Sequence, residues 1–385
     1  MNILFSITYY RPYVSGLTLA ASRWAEALTS RGYTVRILCM VGNGRRVICA
    51  KPLLRISKGF LSWDWVVKSW RLVQKHDVVV VNLPQFEGVI PAVFAKLFGK
   101  RLISIYHCEV ELPEGFINSV VQSFLEISNF ATLLLSDRVV TYTRDYANSS
   151  RVLKSLKVLK KKTEIAYIIP PIPKPRENKA LTKKLAKRVG KTDYVVGIAA
   201  RLAAEKGIEY VFEALPQIQR QIPNTKYQIK IAIAGPTEPV GEEAYKRKIM
   251  RLVQKLRSRV VFLGEMKPED MGSFYRLIDV LVLPSVNSTE AFGMVQIEAM
   301  RCGVPVVASN LPGMRVPVQQ TGMGLLVPPK DSMKLAQSIT SVLTNRDRWR
   351  SLGRTLEDHH GGMIVDSKRF IRAVVDDLNS PKHRS

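Results

Sequence analysis

The chain has 385 residues, 46% of them hydrophobic, and a formal charge of +26 from 58 Lys plus Arg against 32 Asp plus Glu. That length holds two domains with separate cores, and that apolar content excludes wholesale disorder. The charge calls for an anionic partner (nucleic acid, an acidic membrane leaflet or a phosphorylated substrate) without choosing among them.

In chain order, "MNILFSITYY" lacks the basic, apolar and small-residue segments of a signal peptide and reads as a first buried strand. "NILFSI", "TVRILCM", "DVVVVNL", "RLISIYH" and "DRVVTYT" are continuous apolar runs rich in β-branched residues, predicted as buried strands. Helical patterns fall between them, among them "TLAASRWAEALTSRG", which ends on a C-cap at Gly32. "KGFLSWDWVVKSWRLVQKHD" interleaves Trp63, Trp65 and Trp70 with Lys58, Lys68, Arg71 and Lys75. "RVLKSLKVLKKK", residues 151–162, is a second basic amphipathic stretch. Both suit the headgroup region of an anionic membrane, or else are helices packed on their own sheet with a solvated cationic face. The apolar stretch Phe116 to Leu135 is interrupted by Asn118, Gln122, Glu126 and Asn129, too polar for a membrane span. Cys39, Cys49, Cys108 and Cys302 lack paired spacing, so neither a disulfide framework nor a zinc site is expected, and a reducing cytoplasm is the natural setting.

"IIPPIPKPRENKALTKKLAKRVGKTD" then breaks the pattern with prolines and a Lys/Arg run, as an interdomain linker with a basic helix behind it. The alternation restarts with strands "YVVGIAAR", "QIKIAIAG", "RVVFLGE", "DVLVLPS" and "VPVVAS", and "GLLVPPKD" closes the sheet. Helices are expected over Gly207 to Arg220 and Glu242 to Arg257, with a last one over Asp366 to Leu378 after Gly361-Gly362. The reading is α/β: a Rossmann-like domain over 1–170, a basic Pro-rich linker over 171–190, a second Rossmann-like domain over 191–355, and a helical tail over 356–385 that packs back on the first domain. The two doubly wound domains are expected to face a central cleft.

Ligands of open parallel sheets lie beyond the carboxyl ends of the strands. Arg201 and Lys206 follow "VVGIAA", two cations suited to a diphosphate or else ordinary surface cations of a basic protein. Gly264 follows "VVFL" and lets a ligand or a turn approach the backbone. In "STEAFGMVQIEAMRCGVPVVAS", Glu290 precedes a helix whose N-terminal amides at Phe292, Gly293 and Met294 favour an anion. Glu298 lies inside that helix, an acceptor suited to a ribose diol; the two acids alone are a chance-prone pair.

Together "RLAAEKG", "STEAFGMVQIEAMRCGVPVVAS" and "GLLVPPKD" resemble the retaining glycosyltransferases of family 4, glycosyl transferases group 1, with the GT-B fold. The resemblance is densest from Tyr194 to Asp331. It implies a donor site in which Arg201 and Lys206 neutralise the diphosphate, Glu290 holds the sugar and Glu298 the ribose. Phe292, Gly293 and Met294 would contact the sugar and distal phosphate, and Gly264, Glu265 and Met266 would lie near the nucleobase. It also implies roles for Gly16, where Ser15-Gly16 replaces the family's Gly-Gly pair, and for His107 at a strand end near the sugar. The reaction so implied moves a hexose from a nucleotide-diphosphate sugar, such as a UDP-sugar, with retention. The donor is a co-substrate, and no cofactor or metal is expected.

The basic surface points to a lipid-linked or envelope-glycan acceptor and to peripheral binding at the inner face of the cytoplasmic membrane, with no nucleic acid expected. Rival readings are a sugar-nucleotide epimerase or an inverting transferase, which need a positioned acid/base pair such as Glu109 and Glu111, and, more remotely, a nucleic-acid-binding protein.

Overall fold

The computed structural model describes all residues except 57–58, 112–114, 160–162, 223–226, 239–241, 359–366 and 376–385. Lys58, the lysines at 160–162, Gly361, Gly362 and both ends of the expected last helix therefore lie outside the described residues. Two compact units result: Met1–Pro171 with the C-terminal helix Ser367–Val375, and a second from Ile172 through the helix ending at Asp358.

In the first unit the strands are β1 (Asn2–Ser6), β2 (Thr34–Cys39), β3 (Val47–Cys49), β4 (Leu54–Ile56), β5 (Gly59–Leu61), β6 (Val78–Leu83), β7 (Arg101–Tyr106), β8 (Arg138–Thr141) and β9 (Glu164–Tyr167). Seven form a parallel sheet in the order β3-β2-β1-β6-β7-β8-β9, while β4 and β5 pair as a separate antiparallel hairpin. β6 and β7 are buried along their whole length, as strands covered on both faces must be, and so read as unbroken apolar runs. β3 and β9 escape the sequence reading because they are short edge strands of three and four residues. One neighbour suffices to hold an edge strand, so no apolar run is required.

Helix Gly16–Thr29 covers β1 with Trp24 and Leu28, and against it packs the C-terminal helix. Phe370 stacks on Trp24 with ring centroids 3.8 Å apart, both rings fully buried. Arg101 and Arg138 both donate to the carbonyl of Ala373 at 3.0 Å, supplying partners to the last turn of that helix, where the dipole favours cations.

The second unit holds β10 (Tyr194–Ala199), β11 (Ile229–Ala234), β12 (Val260–Gly264), β13 (Val280–Leu283), β14 (Val306–Ser309) and β15 (Gly324–Val327), all parallel, in the order β12-β11-β10-β13-β14-β15. The Pro-rich segment is fastened to this unit. Arg301 donates to Ile172 O at 2.7 Å, Asn178 N–H to Ser273 Oγ at 2.9 Å, and a Cβ at Gly272 would lie 2.1 Å from Arg176 O. Helix Lys179–Val189 follows it, with Arg188 donating to the carbonyls of Phe262 and Leu263 at the end of β12.

Removing the Phe370 ring leaves a cavity against Trp24 and loosens the C-terminal helix. Phe370→Ala is expected to cost about 3–5 kcal/mol of stability, read as a lower urea midpoint. A cost below about 1 kcal/mol would show that this helix does not belong to the first core.

Candidate active site

In the second unit the strand order reverses between β10 and β13, and ligands of such sheets sit outside the carboxyl ends there. The turn after β10 carries Arg201 and Lys206; the loop after β13 carries Glu290. Gly207 brings the two together. It sits in the left-handed region at φ +60°, and a Cβ there would lie 2.3 Å from Pro284 O, so only glycine fits. Val286 N–H donates to Glu205 O at 3.0 Å and ties the same two segments.

Across this contact Lys206 Nζ donates to Glu290 Oε2 at 2.6 Å, with side chains 19% and 21% exposed. Arg201 is paired with Glu205, one helical turn along the chain. Partial burial lowers the effective dielectric, so both pairs are held more firmly than ion pairs in open solvent. The lip of the sheet thus carries two cations, each balanced by a carboxylate that an entering polyanion can replace.

Glu290 leads into helix Met294–Arg301, capped by Gly293 at φ +72°. A Cβ on Gly293 would lie 2.7 Å from Gln296 Nε2, which donates to Phe292 O and Met314 O at 3.0 and 2.9 Å. Phe292 and Met294 are buried at the mouth of the helix, where the macrodipole favours negative charge. Glu298 lies on the second turn, 5% exposed, and accepts from Tyr275 O–H at 3.0 Å. Thr289 Oγ1 and Gln296 Oε1 are buried with no hydrogen-bond partner among the described residues. Both flank the same loop and can accept from a hydroxyl.

Gly264 ends β12 at φ +81°, where a Cβ would meet no atom within 4 Å. Its carbonyl accepts from Gly235 N–H at 2.8 Å, and a Cβ on Gly235 would lie 2.1 Å from Ala200 O. The ends of β10, β11 and β12 are thereby drawn together, with exposed Glu265 and half-buried Met266 just beyond.

Gly16 and His107 belong to the first unit. Gly16 opens its helix behind Ser15, whose Oγ accepts from Thr18 N–H at 3.2 Å while Thr18 Oγ1 accepts from Ser15 N–H at 2.8 Å. A serine in this position is a helix cap with a defined function, and a Cβ on Gly16 would meet nothing within 4 Å. His107 is buried, and both ring nitrogens are engaged: Nε2 with Asn82 Oδ1 at 3.0 Å and Nδ1 with the Tyr142 hydroxyl. Asn82 Nδ2 donates to Ser6 O at 3.1 Å, so its Oδ1 accepts. The network therefore assigns the proton to Nε2, leaving Nδ1 to accept from Tyr142. Burial pushes the imidazole pKa down to about 3, which keeps it neutral.

Glu109 accepts from Ser150 Oγ at 2.7 Å and Arg151 N–H at 3.0 Å, capping the Arg151–Leu159 helix. Its neighbour Glu111, two residues on, is exposed. Among the described residues no group of three or more His, Cys, Asp or Glu is placed to hold a metal, and no helix is long and apolar enough to cross a membrane.

Sequence reasoning missed Glu205, Tyr275, Thr289 and Gln296. Glu205 carried a signal, its four-residue spacing from Arg201. Tyr275 comes from a distant helix, and nothing in its local sequence marks it.

Residues 181–357 match the family described as glycosyl transferases group 1. An uncharacterized glycosyltransferase of Methanocaldococcus jannaschii is 23% identical over 92% of this chain and 91% of its own length. The D-inositol 3-phosphate glycosyltransferase of Corynebacterium jeikeium is 30% identical over 43% of this chain, which spans only 39% of that protein. Among solved structures, Anabaena HepE in complex with UDP and glucose superposes with a TM-score of 0.76 at 19% identity, covering 99% of this chain and all of HepE. The chain thus has the GT-B fold of these neighbours, and within its second unit residues 181–357 match the glycosyl transferases group 1 family.

Proposed function

We propose that the chain transfers a sugar from a nucleotide-diphosphate sugar to a hydroxyl acceptor with retention of anomeric configuration and without a metal ion. The observation that carries this reading is the Lys206–Glu290 pair, with Arg201 beside it, at the point where the strand order reverses. A leaving diphosphate gains negative charge in the transition state. Arg201, Lys206 and the amides at Phe292, Gly293 and Met294 supply fixed positive potential for it. Lys206 then exchanges Glu290 for phosphate, which releases the Glu290 carboxylate to accept sugar hydroxyls. Glu298, held by Tyr275, accepts from the ribose, and the Gly264, Glu265 and Met266 turn takes the nucleobase.

On the retaining route the departing phosphate receives the acceptor's proton on the same face, a step that needs no protein base. In the first unit, His107 just after β7 and Gly16 at the start of its helix enter as substrate-contacting residues. His107 acts there as a neutral positioning group, because both its nitrogens are already engaged. A UDP-sugar is the first donor to test, given that HepE binds UDP and glucose. The surplus of cations favours a lipid-linked or envelope-glycan acceptor presented at an anionic membrane surface, with the protein bound peripherally on its cytoplasmic side.

Thermal shift with UDP-, GDP- and ADP-sugars should single out one nucleotide, and the anomeric coupling of the product should match that of the donor. Arg201→Ala and Lys206→Ala are each expected to lower kcat about 100-fold or more with the fold retained. Near-normal rates in both would sink the assignment. Association with vesicles should require anionic lipid and weaken with salt; equal binding to neutral vesicles would remove the membrane from the proposal.

His107 makes a separate expectation about stability. Its folded pKa of about 3 lies below the usual 6.5, so below pH 6.5 the unfolded chain takes up a proton that the folded one refuses. Stability is complete above that pH and falls as pH drops toward the folded value, by at most about 1.4 kcal/mol per unit from this group. Urea unfolding at a series of pH values should show a shallower acid loss in His107→Gln. An unchanged slope would mean that His107 is protonated in the fold.

A further inference from the structure

The first unit contains an apolar pocket of about 500 Å³ that the proposed transfer chemistry does not use. Its walls come from the β4–β5 hairpin, helix Trp63–Gln74 and helix Phe116–Leu135, with Leu61, Trp63, Phe124 and Ile127 at its mouth. That volume is in the range of small-ligand sites. Four polar side chains in the wall, Ser62, Trp65, Glu87 and Ser128, have partners within the protein. Ser62 Oγ donates to Lys51 O at 2.6 Å, and Ser128 Oγ donates to Phe86 O at 2.6 Å. Glu87 accepts from Phe60 N–H at 2.8 Å and Thr8 Oγ1 at 3.2 Å, and Trp65 Nε1 donates to Glu87 O at 3.1 Å. A sugar entering here would lose more hydrogen bonds to water than these walls could return, whereas a hydrocarbon chain needs none.

The mouth continues into an exposed apolar stripe. Phe116, Val120, Phe124 and Ile127, at helical spacing along one face, are 85%, 39%, 58% and 66% exposed, and Trp63 is 75% exposed. Exposed cations stand on a neighbouring element: Arg151 and Lys154 lie on the helix packed against Phe116–Leu135, whose start is tied to Glu109 just after β7. Apolar surface with cations on the adjoining helix suits an anionic lipid with its tail inward and its head outside. The pocket also reaches the carboxyl end of the sheet, because Glu87 follows β6 and bonds Thr8, which follows β1. The strand order of this unit reverses between those two strands.

We propose that this pocket holds a hydrocarbon chain of an anionic acceptor lipid, its head lying at the carboxyl ends of β1 and β6. That the lipid is the acceptor rests on the transferase reading; that the pocket takes its chain does not.

Trp63 and Trp65 in the wall give the test its readout. Titration of the full chain with bromododecyl phosphate should quench tryptophan fluorescence saturably. Shortening the chain should weaken binding by up to about fourfold per methylene, the worth of one buried CH₂. Ile127→Glu, at an exposed position, and Ala131→Trp, which fills the pocket, should each weaken binding about tenfold or more. Their UDP-induced thermal shift should equal that of the parent chain, which also shows that they are folded.

Unsaturable quenching, or equal affinity in both folded variants, overturns the pocket assignment. So does a dimer that Ile127→Glu disperses, since a second copy would then cover the face. Equal affinity for neutral bromododecanol at low salt overturns the anionic head. Saturable quenching with no response to any nucleotide would leave the pocket standing and remove its link to an acceptor.

Discussion

The close approach of Gly207 to Pro284 O sets the geometry of the second unit's site. Because the turn after β10 lies directly on the end of β13, Lys206 reaches Glu290 across the reversal of strand order. Glu290 in turn fixes the start of a loop that must end at Gly293, whose left-handed backbone lets the next helix begin. Eight positions beyond Glu290, Glu298 then falls on the second turn within reach of Tyr275. The spacing of the two acids follows from the length of that loop plus one helical turn, and a side chain at Gly207 would undo it at its origin.

The two units solve the problem of polarity at strand ends differently. In the second, opposite charges face each other and stay partly wet, so each pair can reopen for another partner. In the first, Ser6, Asn82, His107 and Tyr142 form a buried chain of neutral groups at the ends of β1, β6 and β7. Every member has its partner, and a neutral network of this kind holds geometry without mobile charge. An exchangeable charged lip suits a ligand that carries its own charge. A fixed neutral lip suits positioning.

Buried parallel strands declare themselves in sequence because both faces are covered, and the core strands of both sheets were legible for that reason. β3 and β9 were not, since they are edge strands of three and four residues with no fully buried position. The expected Trp-and-Lys face also divides on folding. Trp65 is fully buried against Glu87, and Trp70 packs edge-on against Phe94 and Phe98, while Trp63 alone is largely exposed. Sequence shows that the aromatics share a helix, and only packing decides which of them meet solvent. In the same way, Arg201, Lys206 and Glu290 could be marked by their places after strands. Tyr275 reaches the site through the fold and carries no local mark, whereas Thr289 and Gln296 lie inside the quoted motif and only packing shows that their oxygens are left unpartnered.

The excess of positive charge is not consumed by the donor site. Arg201 and Lys206 each have a carboxylate there, so that constellation is close to neutral before any ligand enters. The +26 must therefore act elsewhere. On the first unit, exposed Arg151 and Lys154 stand on the helix packed against the one that carries an exposed apolar stripe, near a pocket whose buried polar side chains have internal partners. Charge on that helix attracts an anionic surface over about a Debye length, while burial of apolar groups acts only on contact. An arrangement with long-range attraction outside and dehydrated walls inside selects amphiphiles, which offer both features in one molecule. Nucleic acid would meet the charge but leave the stripe and the pocket in water.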